Sequence, residues 1–138
     1  MSEVAAFRIV LENPPPGVDF GLQKGRGTNY ETIQKQRSAA GDLRFGFTAG
    51  VKAGAAPDFT GPLVQGPPGE RFVYLDVGTC AGQTGTCWSR RLKIPLRGIT
   101  WDMIEGPGAV LEARVNGTAK DGGPACGTVK PFGGWKST

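Results

Sequence analysis

Along most of this chain apolar and polar residues alternate with a period of two, and glycine and proline fall between the alternating stretches. That period marks half-buried strands, because successive side chains of a strand point to opposite faces. Leu43–Lys52 shows it best, with Leu43, Phe45, Phe47, Ala49 and Val51 on one face and Arg44, Gly46, Thr48, Gly50 and Lys52 on the other. Val4–Glu12 sets Phe7, Ile9 and Leu11 against Arg8, Val10 and Glu12, and Pro14-Pro15-Pro16-Gly17 ends it. Val18, Phe20 and Leu22 predict a short second strand that runs into a glycine-rich loop, Lys24–Thr28. Tyr30–Ser38 is polar and reads as a strand or as a turn or two of helix.

Arg71–Thr79 and Cys87–Arg97 read as the two arms of a hairpin. Setting Cys80 opposite Cys87 brings Val77 to Arg90, Leu75 to Leu92 and Val73 to Ile94 on one side, and Asp76 to Arg91 and Tyr74 to Lys93 on the other. Apolar pairs collect on one face while an ion pair and a cation–aromatic pair collect on the other, so two patterns choose one register. Pro95 cannot donate a ladder hydrogen bond, which makes this arm an edge strand or bulges it. Thr100 ahead of Trp101, Met103 and Ile104 predicts a single helical turn. Ala109–Val115 alternates again before the turn at Asn116-Gly117, and Cys126–Lys130 adds a last short strand. Residues 131–138 read as a tail, tethered by its aromatics or frayed.

The sum is an all-β chain of about six to eight short strands, for which a two-layer antiparallel β-sandwich is the natural architecture and a small β-barrel the alternative. An edge at Pro95 favours the sandwich, since a barrel has no edge. The 138 residues fit one domain, 1–138, large enough to bury a core without metals or disulfides. The connection 53–69 is too apolar for a linker. Phe59, Leu63 and Val64 should fold it onto the sheet as an ordered cover, and such loops often carry function.

Composition narrows the chemistry. No histidine is present, which removes the commonest general base and the commonest nitrogen metal ligand. The sequence holds no phosphate loop, no GxGxxG, no GxSxG elbow and no DxDxDG, and no motif implies a cofactor or a metal. Cys80, Cys87 and Cys126 fit plain packing, or a Cys80–Cys87 hairpin bridge, better than zinc, because C-x6-C lacks the usual ligand spacing. Asp19, Asp58, Asp102 and Asp121 lie in loops without the spacing of a calcium site. The net charge of +4 is mild and interspersed, so nucleic acid is permitted as a partner but not indicated. No apolar stretch reaches the roughly 20 residues that span a bilayer, and no signal peptide opens the chain, so a soluble cytoplasmic protein is expected.

The sharpest charged feature is Arg90-Arg91, Lys93 and Arg97. Alternation puts Arg91, Lys93, Pro95 and Arg97 on one face, beside Tyr74, while Arg90 shares the other with Trp88 and Leu92. A cationic stripe of this kind can hold phosphate or carboxylate groups, and Arg90, Arg91, Lys93, Arg97, Trp88 and Tyr74 are the candidate ligand-binding residues. The plainer reading is a solvated face partly neutralised by Asp76. A guanidinium at Arg90 among Trp88, Leu92 and Val77 would need a carboxylate or a bound anion. The loop 23–28 has the composition of an anion nest, though a turn explains it more simply.

The segments Glu12-Asn13-Pro14-Pro15-Pro16-Gly17-Val18, Gln65-Gly66-Pro67-Pro68-Gly69-Glu70-Arg71-Phe72-Val73-Tyr74, Arg90-Arg91-Leu92-Lys93-Ile94 and the run from Gly117 to Cys126 resemble an uncharacterised bacterial family, a domain of unknown function. The resemblance covers nearly the whole chain. It implies a stand-alone single-domain protein and brings no activity, cofactor or catalytic residue. Three classes of function stay open: a non-catalytic binding module for a small or anionic ligand or a protein partner, a histidine-free hydrolase using Asp or Cys with or without a metal, and a homo-oligomer built on the exposed hairpin edge.

Overall fold

Strands form wherever the alternation predicts them among the described residues, and in three places where it does not, Asn29–Arg37, Asp58–Thr60 and Lys136–Ser137. The computed structural model describes residues 3–26, 29–78, 88–130 and 132–138. In chain order these form β1 (Glu3–Glu12), β2 (Asp19–Arg26), β3 (Asn29–Arg37), β4 (Leu43–Lys52), β5 (Asp58–Thr60), β6 (Phe72–Gly78), β7 (Trp88–Pro95), α1 (Trp101–Ile104), β8 (Val110–Asn116), β9 (Gly127–Thr128) and β10 (Lys136–Ser137). The first sheet has the order β10-β8-β1-β4-β5 and the second β3-β2-β6-β7-β9. Neither order closes on itself, so the fold is a β-sandwich and not a barrel. Most pairs are antiparallel, while β1–β8 and β7–β9 are parallel.

The inward positions of both sheets make one core. Phe7, Ile9 and Leu11 of β1 lie between Phe45 and Phe47 of β4 and Leu111, Ala113 and Val115 of β8, and they meet Phe20, Leu22, Val73, Leu75, Val77, Leu92 and Ile94 of the second sheet. Phe7 is its centre. Its ring stacks on Phe47 at 4.8 Å and takes the edges of Phe59 and Trp135 at 5.2 Å each. Each such side chain contributes about 1.5–3 kcal/mol by burial. The connection 53–69 is the ordered cover its composition suggests: Phe59, Leu63 and Val64 are buried, β5 pairs with β4, and Trp101 of α1 donates its indole N–H to the Gly54 carbonyl at 2.9 Å.

The segment 30–38, polar and ambiguous in sequence, is the edge strand β3. Its alternation is masked by a bulge, because Phe20 pairs with Gln36 while Leu22 pairs with Ile33, and Gln34 takes up the extra residue at φ 54°. β2 in turn runs through Lys24–Arg26 instead of opening into a loop there, so those residues pair with β3 and form no nest. Gln34 and Gln36 then close one side of the sandwich. The Gln34 amide donates to the Gly46 carbonyl and accepts the Gly46 N–H, and Gln36 donates to the Arg44 carbonyl, all on a stretch of β4 that β5 leaves uncovered. Gln34→Ala should therefore lower stability by about 1 kcal/mol, measured by urea unfolding. No loss would show that solvent replaces this seam.

The hairpin keeps the register read from sequence, with Val73 at Ile94, Leu75 at Leu92 and Val77 at Arg90 on one side and Tyr74 at Lys93 and Asp76 at Arg91 on the other. Pairing shifts at Gly78, which meets Trp88, and the turn carrying Cys80 and Cys87 lies outside the described residues. Pro95 ends β7 beyond the two residues, Leu92 and Lys93, that β9 covers. The tail is tethered: Trp135 is buried, and β10 pairs with β8. No helix among the described residues is long and apolar enough to cross a membrane.

Candidate functional site

The two outer faces of the sandwich treat their charges differently. On the first sheet Arg8 donates to Glu112 from both Nε and Nη2, Arg114 meets Glu112 at 2.9 Å and Glu12 at 3.5 Å, and the Arg8 hydrogen bond holds the Glu112 carboxyl below the usual range. Charge there is paired with charge. Val10, which alternation puts on this face, is fully buried between Arg44 and Arg114 in register.

On the second sheet Arg37 pairs with Asp19 and Lys24 with Glu31, but the cations on β7 and just beyond it rest on rings. The Arg91 guanidinium lies 4.9 Å from the Tyr30 ring centroid and 5.5 Å from that of Tyr74, the Lys93 ammonium lies 4.2 Å from Phe72, and Arg97 lies 5.9 Å from Phe132. Of these three cations only Arg91 has a carboxylate partner among the described residues: its Nε stands 3.7 Å from Asp76 Oδ1. Cations placed on ring faces are held by the ring quadrupole and keep their outward N–H groups available.

Asp76 is the unexpected member. Alternation turns it outward, yet it is 0% exposed, covered on a face that should be wet. Glycine explains how. Gly21 of β2 stands beside Asp76 in register, and a β-carbon there would come within 2.3 Å of Thr32 Cγ2. Without it, Thr32 of β3 crosses over β2 and donates its hydroxyl to Asp76 Oδ2 at 2.9 Å. Among the described residues Oδ1 has no hydrogen-bond donor, and neither has Oε1 of Gln23, buried on the same face. Arg91 closes over the carboxyl, so Asp76 positions Arg91 and is itself unavailable to a substrate.

Burial raises the Asp76 pKa from the ordinary 3.8, against the Thr32 hydrogen bond and the Arg91 charge, which lower it. The folded protein thus takes a proton here more readily than the unfolded chain. Stability from this group is full below its ordinary pKa and is lost as pH rises through the raised native value. Asp58 and Glu112 run the other way, because Arg71 and Arg8 hold them low and their contribution is lost as pH falls. Asp76→Asn removes the first trend alone and leaves Thr32 an acceptor. Its stability relative to the parent should rise as the pH is raised from the ordinary carboxylate range toward neutrality, followed by denaturant unfolding at several pH values. A difference constant across that range would mean that Asp76 titrates as a solvated carboxylate does.

Of the six residues singled out in sequence, Arg91, Lys93 and Tyr74 share this face. The ring partners are one step off the cross-strand pairing: Lys93 sits on Phe72, and Tyr74 receives Arg91. Arg97 lies past the end of β7 and turns to Phe132. Arg90 is a correction. It is exposed at the end of the sheet, beside the pairing shift at Gly78, and needs no buried counter-ion. The Trp88 side chain lies outside the described residues. Cys126 is an exposed free thiol and not a packed one. Among the described residues no group of three or more Cys, Asp or Glu side chains is placed to hold a metal. Sequence reading missed Tyr30, Thr32, Phe72 and Phe132, and the one signal for Gly21 was its place on the outward side of a strand.

A β-sandwich with a ring-seated cationic face is the class of protein that fold and site define. The chain belongs to DUF5990, a family of unknown function, which it matches over residues 5–138. No curated protein matches it. No solved structure matches it either.

Proposed function

We propose that the protein is a non-catalytic binding module for a small anion, held on the outer face of the second sheet by Arg91, Lys93 and Arg97. One observation carries this reading: three cations from one stretch of chain are each seated on an aromatic ring, and the only carboxylate ion-paired to any of them among the described residues is sealed beneath Arg91. Arg–anion pairs are frequently bidentate, and a guanidinium fixed in advance loses less freedom on binding. Tyr74 belongs to the site as the seat of Arg91. The hydrolase reading finds less support, since the buried carboxyl of Asp76 lies under Arg91 and cannot reach a substrate proton.

Thermal unfolding followed by tryptophan fluorescence, with phosphates, nucleotides, sugars, calcium, zinc and short oligonucleotides as additives, tests it. Phosphate-type anions at about 100 times their dissociation constant should add about 2.7 kcal/mol and raise the midpoint by several degrees. Arg91→Gln and Lys93→Gln should each diminish that rise. A rise given by calcium or zinc and by no anion would overturn the reading in favour of a metal-dependent protein. No rise with any additive would overturn it in favour of a protein partner or self-assembly.

A further inference from the structure

We propose that a recess of about 250 Å³ between Lys93 and Arg97 takes a small phosphomonoester that carries free hydroxyl groups; this rests on the anion-binding reading and adds the ligand's class. The volume falls below the range of about 300–1,000 Å³ usual for drug-sized ligands, so the guest is compact.

Charge selects its head. Three cations line the recess, but Arg71 is already engaged, donating to Asp58 Oδ1 at 3.0 Å, to Asp58 Oδ2 at 3.1 Å and to the Gly66 carbonyl. Arg71 forms a neutralised wall. Lys93 and Arg97 make only their ring contacts, to Phe72 and Phe132, and form no ion pair among the described residues. Two cations free of ion pairs, against the one carboxylate of Glu70 in the same recess, favour an anionic head, and a phosphomonoester, at about −1.5 to −2 near neutral pH, is drawn to them more strongly than a single carboxylate. Arginine meets phosphate oxygens in pairs, and lysine serves as a point charge beside it.

The rest of the lining selects the tail. Glu70 faces the same recess and makes no ion pair among the described residues, and Thr128 of β9 brings a hydroxyl with no described hydrogen bond. A carboxylate accepts hydrogen bonds from ligand hydroxyls and repels a second phosphate. A hydroxylated monophosphate therefore fits better than inorganic phosphate, and a diphosphate fits worse.

Calorimetric titration with glycerol 3-phosphate, inorganic phosphate and glycerol tests the inference on the full chain. Glycerol 3-phosphate should bind about tenfold more tightly than phosphate, the worth of one charge-assisted hydrogen bond, and glycerol alone should not bind. Lys93→Gln and Arg97→Gln should each weaken the ester by about tenfold or more with an unchanged unfolding midpoint. Glu70→Gln should bring the ester close to phosphate. Phosphate binding untouched by Lys93→Gln and Arg97→Gln but lost in Arg91→Gln would refute the recess and leave the anion-binding reading standing. Equal affinity for ester and phosphate would refute the hydroxyl selectivity. No anion binding at all would refute both readings. Phosphatidylcholine vesicles containing phosphatidic acid separate a lipid headgroup from a free ester: no co-sedimentation is expected, and co-sedimentation that needs Lys93 and Arg97, without binding of soluble glycerol 3-phosphate, would overturn the free ester.

Discussion

Trp135→Ala should destabilise the protein by about 3–5 kcal/mol, measured by urea unfolding. The indole is 5% exposed, packs edge-on to Phe7 at 5.2 Å and donates its N–H to the Pro95 carbonyl at 2.9 Å. It thereby joins the chain leading into β10 of the first sheet to the end of β7 in the second. Truncation opens a cavity against the central ring of the core and leaves the Pro95 carbonyl without its donor. It also loosens Phe132, 6.3 Å from Trp135, on which Arg97 rests. Trp135→Phe keeps a ring against Phe7 and should lose about 1 kcal/mol. A cost below about 1 kcal/mol for the alanine variant would mean that the C-terminal segment frays in solution.

Gly21→Ala should cost about 3 kcal/mol, more than an added methyl on an outer sheet face ordinarily would. The new carbon would stand 2.3 Å from Thr32 Cγ2 and 2.9 Å from the Ile33 carbonyl oxygen. Thr32 must turn away, and its hydroxyl then leaves Asp76, which is fully buried and has Arg91 Nε 3.7 Å away from its other oxygen. A buried carboxyl without its donor is the larger part of the loss. Thr32→Ser introduced together with Gly21→Ala removes the clashing methyl and keeps the hydroxyl, and it should restore roughly half of the stability. Gly21→Ala at the stability of the parent would show that the Thr32–Asp76 contact does not hold this face.

Much of the sandwich was legible because its strands alternate strictly, and the hairpin register followed from pairing Leu75 with Leu92 and Val73 with Ile94. β3 was not legible. Its bulge at Gln34 breaks the period of two, and its role as an edge joined by glutamine amides to β4 leaves Ile33 as its one aliphatic contact with the core. The cationic half of the site could be read from the spacing of Arg91, Lys93 and Arg97. The aromatic half could not, because Tyr30 reaches Arg91 from β3, and Phe132 lies in a tail more than thirty residues beyond Arg97 in sequence. The burial expected at Arg90 failed for a different reason: alternation gives a residue its face but not its depth, and a position at the end of a sheet stays wet on either face. Asp76 shows the converse, an outward residue buried by neighbours that only the fold brings together.

The most direct measurement is amide chemical-shift mapping of the protein titrated with inorganic phosphate. Saturable shifts concentrated at Arg91, Lys93 and Arg97 are the expected result. Shifts concentrated instead on the Arg8–Glu112–Arg114 face or around Lys24 and Gly61 away from β7, or no saturable shift at all, would contradict the assignment of the ring-seated face as an anion site.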